Sequence, residues 1–144
     1  MIGYLDTSAP VPLLVEEPST PACLRFWNDC DQLVSNSVVS VEATAALAQA
    51  RRSSRITDAQ LRAARAQLDE LLLDISAIDL NPGLLARACQ FTVDLNLRGY
   101  DAIHCATAHS VSDEGFVAAS GDAELLEAWH ALSISTFDTN QLSR

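Results

Sequence analysis

Four acidic residues in this chain have surroundings that suit shared chemistry. Asp6 ends the apolar run Ile2-Gly3-Tyr4-Leu5. Glu42 lies in an alanine-rich segment, Asp101 follows Gly99-Tyr100, and Asp122 follows Ser120-Gly121. Carboxylates gathered at one point repel each other unless a cation binds them. Ligand sets made only of oxygen favour Mg2+ or Mn2+. Two such ions roughly 4 Å apart hold a phosphate, activate a water and stabilise a leaving oxygen. Single residues also have plainer explanations. Asp101 and Asp122 suit helix N-caps, and Glu42 suits an exposed helix position. Asp6 has no such role, because an apolar strand does not need an acid at its end. Asp138 is a further candidate for the cluster.

The acids are far apart in sequence, so only the fold can gather them. Residues 2–6 read as a short buried strand. Residues 8–15 read as a helical turn with Pro10 near its start, and 19–30 as a helix with Pro21 in its first turn. Gln32 to Ser35 is a short strand. Residues 38–52 are expected to be a helix with Val38, Val41, Ala45 and Ala48 on one face. Thr57-Asp58-Ala59-Gln60 is a capping box, followed by a stripe of Leu61, Leu68, Leu71 and Leu72. Ile75 to Leu80 returns as a strand. Asn81-Pro82 starts a helix lined by Leu84, Ala88, Phe91 and Leu95, which Gly99 is expected to end. A further helix starts at about Asp101. Residues 115–119 form a strand, Asp122 opens a short helix, and Leu132 to Thr136 is the last strand. Strands alternating with helices imply right-handed crossovers and a three-layer α/β/α domain with a central parallel sheet. Ligands of such sheets bind beyond the carboxyl ends of the strands, which is where these acids fall.

At 144 residues the chain is expected to form a single domain over residues 1–144. No apolar run approaches the roughly 18 residues of a membrane span. The first residues lack a basic segment, so a signal peptide is not expected and a cytoplasmic location is. The four cysteines form no CxxC pair, so reduced thiols are expected rather than a zinc site. There is no lysine. P-loop phosphate binding and Schiff-base catalysis both need one, so both are excluded.

The residues around the acids resemble the motifs of the PIN-domain family. Tyr4-Leu5-Asp6-Thr7-Ser8-Ala9 looks like the opening motif, and Ser40-Val41-Glu42-Ala43 resembles the second acid site. The segment from Tyr100-Asp101 to Thr107-Ala108 is very similar to the third motif, and Ala119-Ser120-Gly121-Asp122 to the fourth. The compact length is similar to VapC-type toxins of bacterial toxin–antitoxin pairs. This resemblance implies an Mg2+- or Mn2+-dependent endoribonuclease that leaves 5′-phosphate and 3′-hydroxyl ends. It also implies a homodimer inhibited by a cognate antitoxin. Carried over by position, Asp6, Glu42, Asp101 and Asp122 match the acidic quartet. Ser8 matches a hydroxyl near the metal site, and Ser120 stands where threonine is common. Pro10 replaces the usual apolar residue.

The net charge of −10 opposes nonspecific binding of an RNA substrate. However, five of the nine basic residues, Arg51, Arg52, Arg55, Arg62 and Arg65, fall within fifteen positions. They suit a patch that grips phosphates, or else a solvated hairpin with cations at a helix C-terminus. His104 lies one turn beyond Asp101 and either faces the site or bonds a neighbouring helix end. Phe26, Trp27 and Trp129 read as core or dimer contacts. Two rival functions remain open: a catalytically silent binding module with the same fold, and a metal-dependent phosphatase acting on a small phosphoester.

Overall fold

The chain alternates strand and helix as the hydrophobic pattern predicts, and a computed structural model describes residues 1–141. The strands are β1 (Ile2–Leu5), β2 (Gln32–Asn36), β3 (Ile75–Ile78), β4 (Phe116–Ser120) and β5 (Ser135–Asp138). The helices are α1 (Thr20–Asp29), α2 (Val39–Arg52), α3 (Asp58–Leu73), α4 (Pro82–Asp94), α5 (Gly99–Val111) and α6 (Ala123–Ala131), with a single 3-10 turn at Val11–Leu13. All five strands are parallel, in the order β3-β2-β1-β4-β5.

Successive strand residues face opposite sides of the sheet, and the core divides accordingly. Tyr4, Val34, Phe116 and Ala118 pack with α4, α5 and α6 on one face. Leu5, Leu33 and Ala119 pack with Phe26 of α1 on the other. Alternation in β1 therefore decides that Tyr4 reaches α5 while Leu5 reaches α1. A separate apolar cluster joins Ala43 and Leu47 of α2 to Ala64 and Leu68 of α3. Gly3 leaves no room for a side chain, since a Cβ there would lie 2.3 Å from the Cys30 sulfur and 2.8 Å from the Phe26 ring.

Both signalled helix starts form. Thr57 and Gln60 exchange reciprocal bonds as a capping box, and the Asn81 side chain accepts from the Leu84 amide at 2.9 Å. Three expectations are corrected. The buried face of α2 is Val39, Ala43, Leu47 and Ala50, whereas Val41 is 60% exposed. Small alanines occur all round this helix, so its one leucine, Leu47, decides which side is buried. Helix α4 does not run to Gly99. It ends at Asp94, and Asn96 takes the left-handed conformation (φ 54°) that asparagine tolerates. Gly99 is the first residue of α5, so Asp101 lies in that helix's first turn and is not its cap. The last strand lies later than predicted, ending at Asp138. Among the described residues, no helix is long and apolar enough to cross a membrane.

Candidate active site

The strand order reverses at β1. The chain fills one side of it with β2 and β3, then crosses to the other with β4 and β5. Such a switch leaves a crevice beyond the carboxyl ends of the central strands. Asp6 follows β1 immediately, and its amide still donates to the Ala119 carbonyl at 3.3 Å. The side chain is almost wholly buried, at 5% exposure. One carboxylate oxygen accepts from the Ser8 amide at 3.1 Å and the Ser8 hydroxyl at 2.6 Å. The other accepts from the Ser120 hydroxyl at 3.0 Å.

The same two hydroxyls also fix β4. Ser8 Oγ accepts from the Gly121 amide at 2.8 Å, and Ser120 Oγ from the Asp122 amide at 2.9 Å. Each hydroxyl thus spends its proton on Asp6 and a lone pair on an amide of the loop that follows β4. Among the described residues, Asp6 has no ion-pair partner and its hydrogen-bond donors are neutral. Burial pushes its pKa from 3.8 up to about 6, against the lowering effects of His104 and the serine donors.

Asp122 caps a helix and also meets an arginine. Its Oδ1 accepts from the Glu124 and Leu125 amides at 2.9 and 3.4 Å, opening α6. Its Oδ2 meets the Arg98 guanidinium at 3.3 Å, and the same guanidinium reaches Asp101 at 3.2 Å. Arg98 therefore bridges the third and fourth acids. Burial and the neighbouring Asp122 both raise the Asp101 pKa, and Arg98 opposes them. The sequence reading missed Arg98, although its place three residues before Asp101, at a helix entry, was the available signal.

Glu42 lies in the first turn of α2. Its Oε1 meets Nε2 of the buried His104 at 2.7 Å. His104 thus bonds the first turn of a neighbouring helix, through one of the four acids. Asn36 was also missed. This fully buried residue accepts from the Val38 amide at 2.9 Å and donates to the Thr107 hydroxyl at 3.1 Å, which ties the entry of α2 to α5. Asp138 pairs with Ser120 in the sheet register, and its Oδ1 closes a turn onto the Asn140 amide.

All the acids offer hard oxygen donors, which suit Mg2+ or Mn2+. Among the described residues, no three His, Cys, Asp or Glu side chains form a ready-made ligand set. What stands together is a series of pairs: Asp101 and Asp122 across Arg98, and Glu42 with His104. The donor chemistry nevertheless fits a divalent ion at Asp6, because a buried carboxylate with only neutral partners lacks the counter-charge that burial demands. Beside it, Ser8, Glu17, Ser19, Gly121, Asp122 and Asn140 line a polar cleft of about 500 Å³.

The arginine cluster divides. Arg51 pairs with Asp58, and Arg55 lies beyond the end of α2 and reaches Glu17 at 3.2 Å. Glu17 in turn lines the polar cleft, although Arg55 itself does not. Arg52, Arg62 and Arg65 are exposed and have no carboxylate within ion-pair distance among the described residues. Phe26 and Trp129 are core residues.

A family model described as PIN domain matches residues 3–141. "Ribonuclease VapC45" of Mycobacterium tuberculosis (strain CDC 1551 / Oshkosh) is 32% identical over 128 residues, 89% of each chain. Among solved structures, FitAcB from Neisseria gonorrhoeae has a TM-score of 0.74 at 14% identity, covering 99% of this chain and 100% of that one. A toxin–antitoxin complex from Klebsiella pneumoniae has a TM-score of 0.66 at 13% identity, covering 97% and 99%. Both share the three-layer α/β/α architecture seen here. The match over residues 3–141 and the 32% identity over 89% of each chain mean that the chain belongs to the PIN-domain family, as a member of VapC type.

Proposed function

We propose that this protein is an Mg2+- or Mn2+-dependent endoribonuclease and the toxin of a toxin–antitoxin pair. The observation that carries the reading is Asp6, a buried carboxylate at the sheet's switch point with neutral donors and no counter-ion among the described residues. Asp6, Asp101, Asp122 and Glu42 would hold the metal, with Ser8 and Ser120 fixing Asp6. When bound, the metal supplies charge to the phosphate and activates water for in-line attack. The acids mainly position the metal rather than shuttle protons. The cleft beside Asp122 receives the RNA backbone, and Arg52, Arg62 and Arg65 bind phosphates, with Arg55 held by Glu17. The products carry 5′-phosphate and 3′-hydroxyl ends. The relative named a ribonuclease supports the substrate class.

The same reading includes a homodimer and an antitoxin. The bridging position of Arg98 supports a basic antitoxin side chain, because a guanidinium already fits between Asp101 and Asp122. One observation favours the silent binding module instead, namely that no ready-made metal-ligand set exists among the described residues. A single experiment separates the two. Purified protein is incubated with RNA and Mg2+ or Mn2+, with and without chelator, and the ends are identified by ligation. Cleavage that is lost with chelator and with Asp6→Asn supports the nuclease. Wild-type protein that leaves RNA intact in both metals refutes it.

A further inference from the structure

His104 makes two close contacts inside the protein, and neither is needed to fill the core. The ring is 2% exposed. Nδ1 lies 2.7 Å from the Tyr4 hydroxyl, and Nε2 lies 2.7 Å from Glu42 Oε1. The roles at Nε2 follow from chemistry. A carboxylate only accepts, so Nε2 must carry the proton and donate. That holds for the neutral ring and for the imidazolium alike. On the other side the Tyr4 ring is completely buried, and its phenol, like any ordinary phenol near neutral pH, carries a proton it can donate. In the neutral ring, Tyr4 then donates to Nδ1, which leaves Nε2 as the protonated nitrogen. Tyr4 is itself fixed, in edge-on contact with both His104 and Trp129 at centroid distances of 5.8 and 5.9 Å.

We infer that His104 is a positioning residue for Glu42: held by Tyr4, its Nε2–H grips Oε1 and so presents Oε2 to the cation site at the acidic edge. Among the described residues Oε2 has no hydrogen-bond partner. Without that bond the partly buried Glu42 side chain would sample several rotamers. The Asn36–Thr107 bond anchors the same junction of α2 and α5 one layer deeper. The chain Tyr4–His104–Glu42 therefore links the centre of the sheet to one acid. This inference rests on the metal reading of the acidic edge and adds the element that preorganises its second acid. Groups that orient metal ligands typically change metal affinity by about 10–100-fold when removed.

Two substitutions separate positioning from core filling. A glutamine amide nitrogen falls near the place of Nε2, whereas an asparagine's falls near Nδ1. His104→Gln should keep the bond to Glu42, and His104→Asn should lose it. The readout is Mn2+ binding to the full chain, followed by electron paramagnetic resonance without RNA, with metal-free melting recorded for each variant. We expect Mn2+ to bind at least about tenfold more weakly to His104→Asn and within about twofold of wild type to His104→Gln. In a Glu42→Gln background, His104→Asn should add no further loss. Tyr4→Phe, which keeps the ring, covers the case in which His104→Asn does not fold, and it should weaken binding about threefold or more. If these variants all bind Mn2+ like wild type, His104 is a core residue only and the inference fails while the metal reading stands. If the wild type binds no Mn2+, the metal reading fails and this inference with it.

Discussion

The Ser120 hydroxyl donates to the Asp6 carboxylate at 3.0 Å while accepting the Asp122 amide at 2.9 Å, so one oxygen joins the first and fourth acids across the β1–β4 crevice. Replacing Ser120 with alanine removes a donor from a buried carboxylate and leaves the Asp122 amide without its acceptor. Net losses of this kind run to about 1–3 kcal/mol. Ser120→Ala should lower the melting temperature and reduce RNA cleavage about tenfold or more, and Ser120→Thr should restore both. Equal activity of the alanine and threonine variants would contradict the role given to this hydroxyl.

Burial of Asp6 makes the metal-free fold sensitive to pH, with a definite sign. Its pKa is about 6 folded, against 3.8 for an ordinary aspartate. Between those values the folded state binds more protons than the unfolded state. The stabilising contribution is therefore complete below pH 3.8 and is lost as pH rises through about 6. The difference corresponds to roughly 3 kcal/mol. Denaturant unfolding in chelator should show this contribution falling across that window. Asp6→Asn should remove it, so that the variant is more stable than wild type at pH 7.5 yet inactive. Mn2+ should stabilise wild type and not the variant.

Arg98 competes with any other cation for Asp101 and Asp122. It is mostly exposed, so removing it should disturb folding little. Arg98→Gln should raise Mn2+ affinity several-fold at low salt, and the gain should shrink at high salt as the ions screen the site. Titration of metal into both proteins at two ionic strengths decides the point. Weaker binding in the variant would mean that Arg98 helps to hold the acids together.

Arg52, Arg62 and Arg65 are the arginines of the cluster without an acidic partner among the described residues. Changing all of them to glutamine should weaken binding of single-stranded RNA and flatten its salt dependence. Each phosphate that is no longer neutralised reduces the log–log slope by about 0.7, so a change near 2 is expected. Binding measured across a salt series in an inactive Asp6→Asn background tests this without cleavage. An unchanged slope would leave these side chains as a solvated hairpin.

The parts legible in the sequence were those with local signals. The Thr57 and Asn81 caps need only neighbours three residues away, and the ends of β1 and β4 announce Asp6 and Asp122 by an apolar run meeting an acid. What was left open or missed depends mostly on distant partners. His104, whose two alternatives stayed open, meets Tyr4 across 100 positions and Glu42 across 62. Asn36 meets Thr107 across 71. The buried face of α2 was misread because alanine, common all round that helix, hardly separates inside from outside. The start of α5 was misread because Gly99 is tolerated at a helix end and a helix start alike, and Asn96 had already taken the left-handed turn.

The order of the strands also has a consequence in time. The edge needs Asp6 from the first strand and Asp122 from just beyond the fourth, with β4 inserted directly beside β1. A ribosome that has released β1, β2 and β3 has released no fourth acid and no partner for the open side of β1. The growing chain therefore carries its acids apart until β4 and α6 have emerged. A chain stopped before β4 therefore has Asp6 without the Ser120 hydroxyl that holds it from across the crevice.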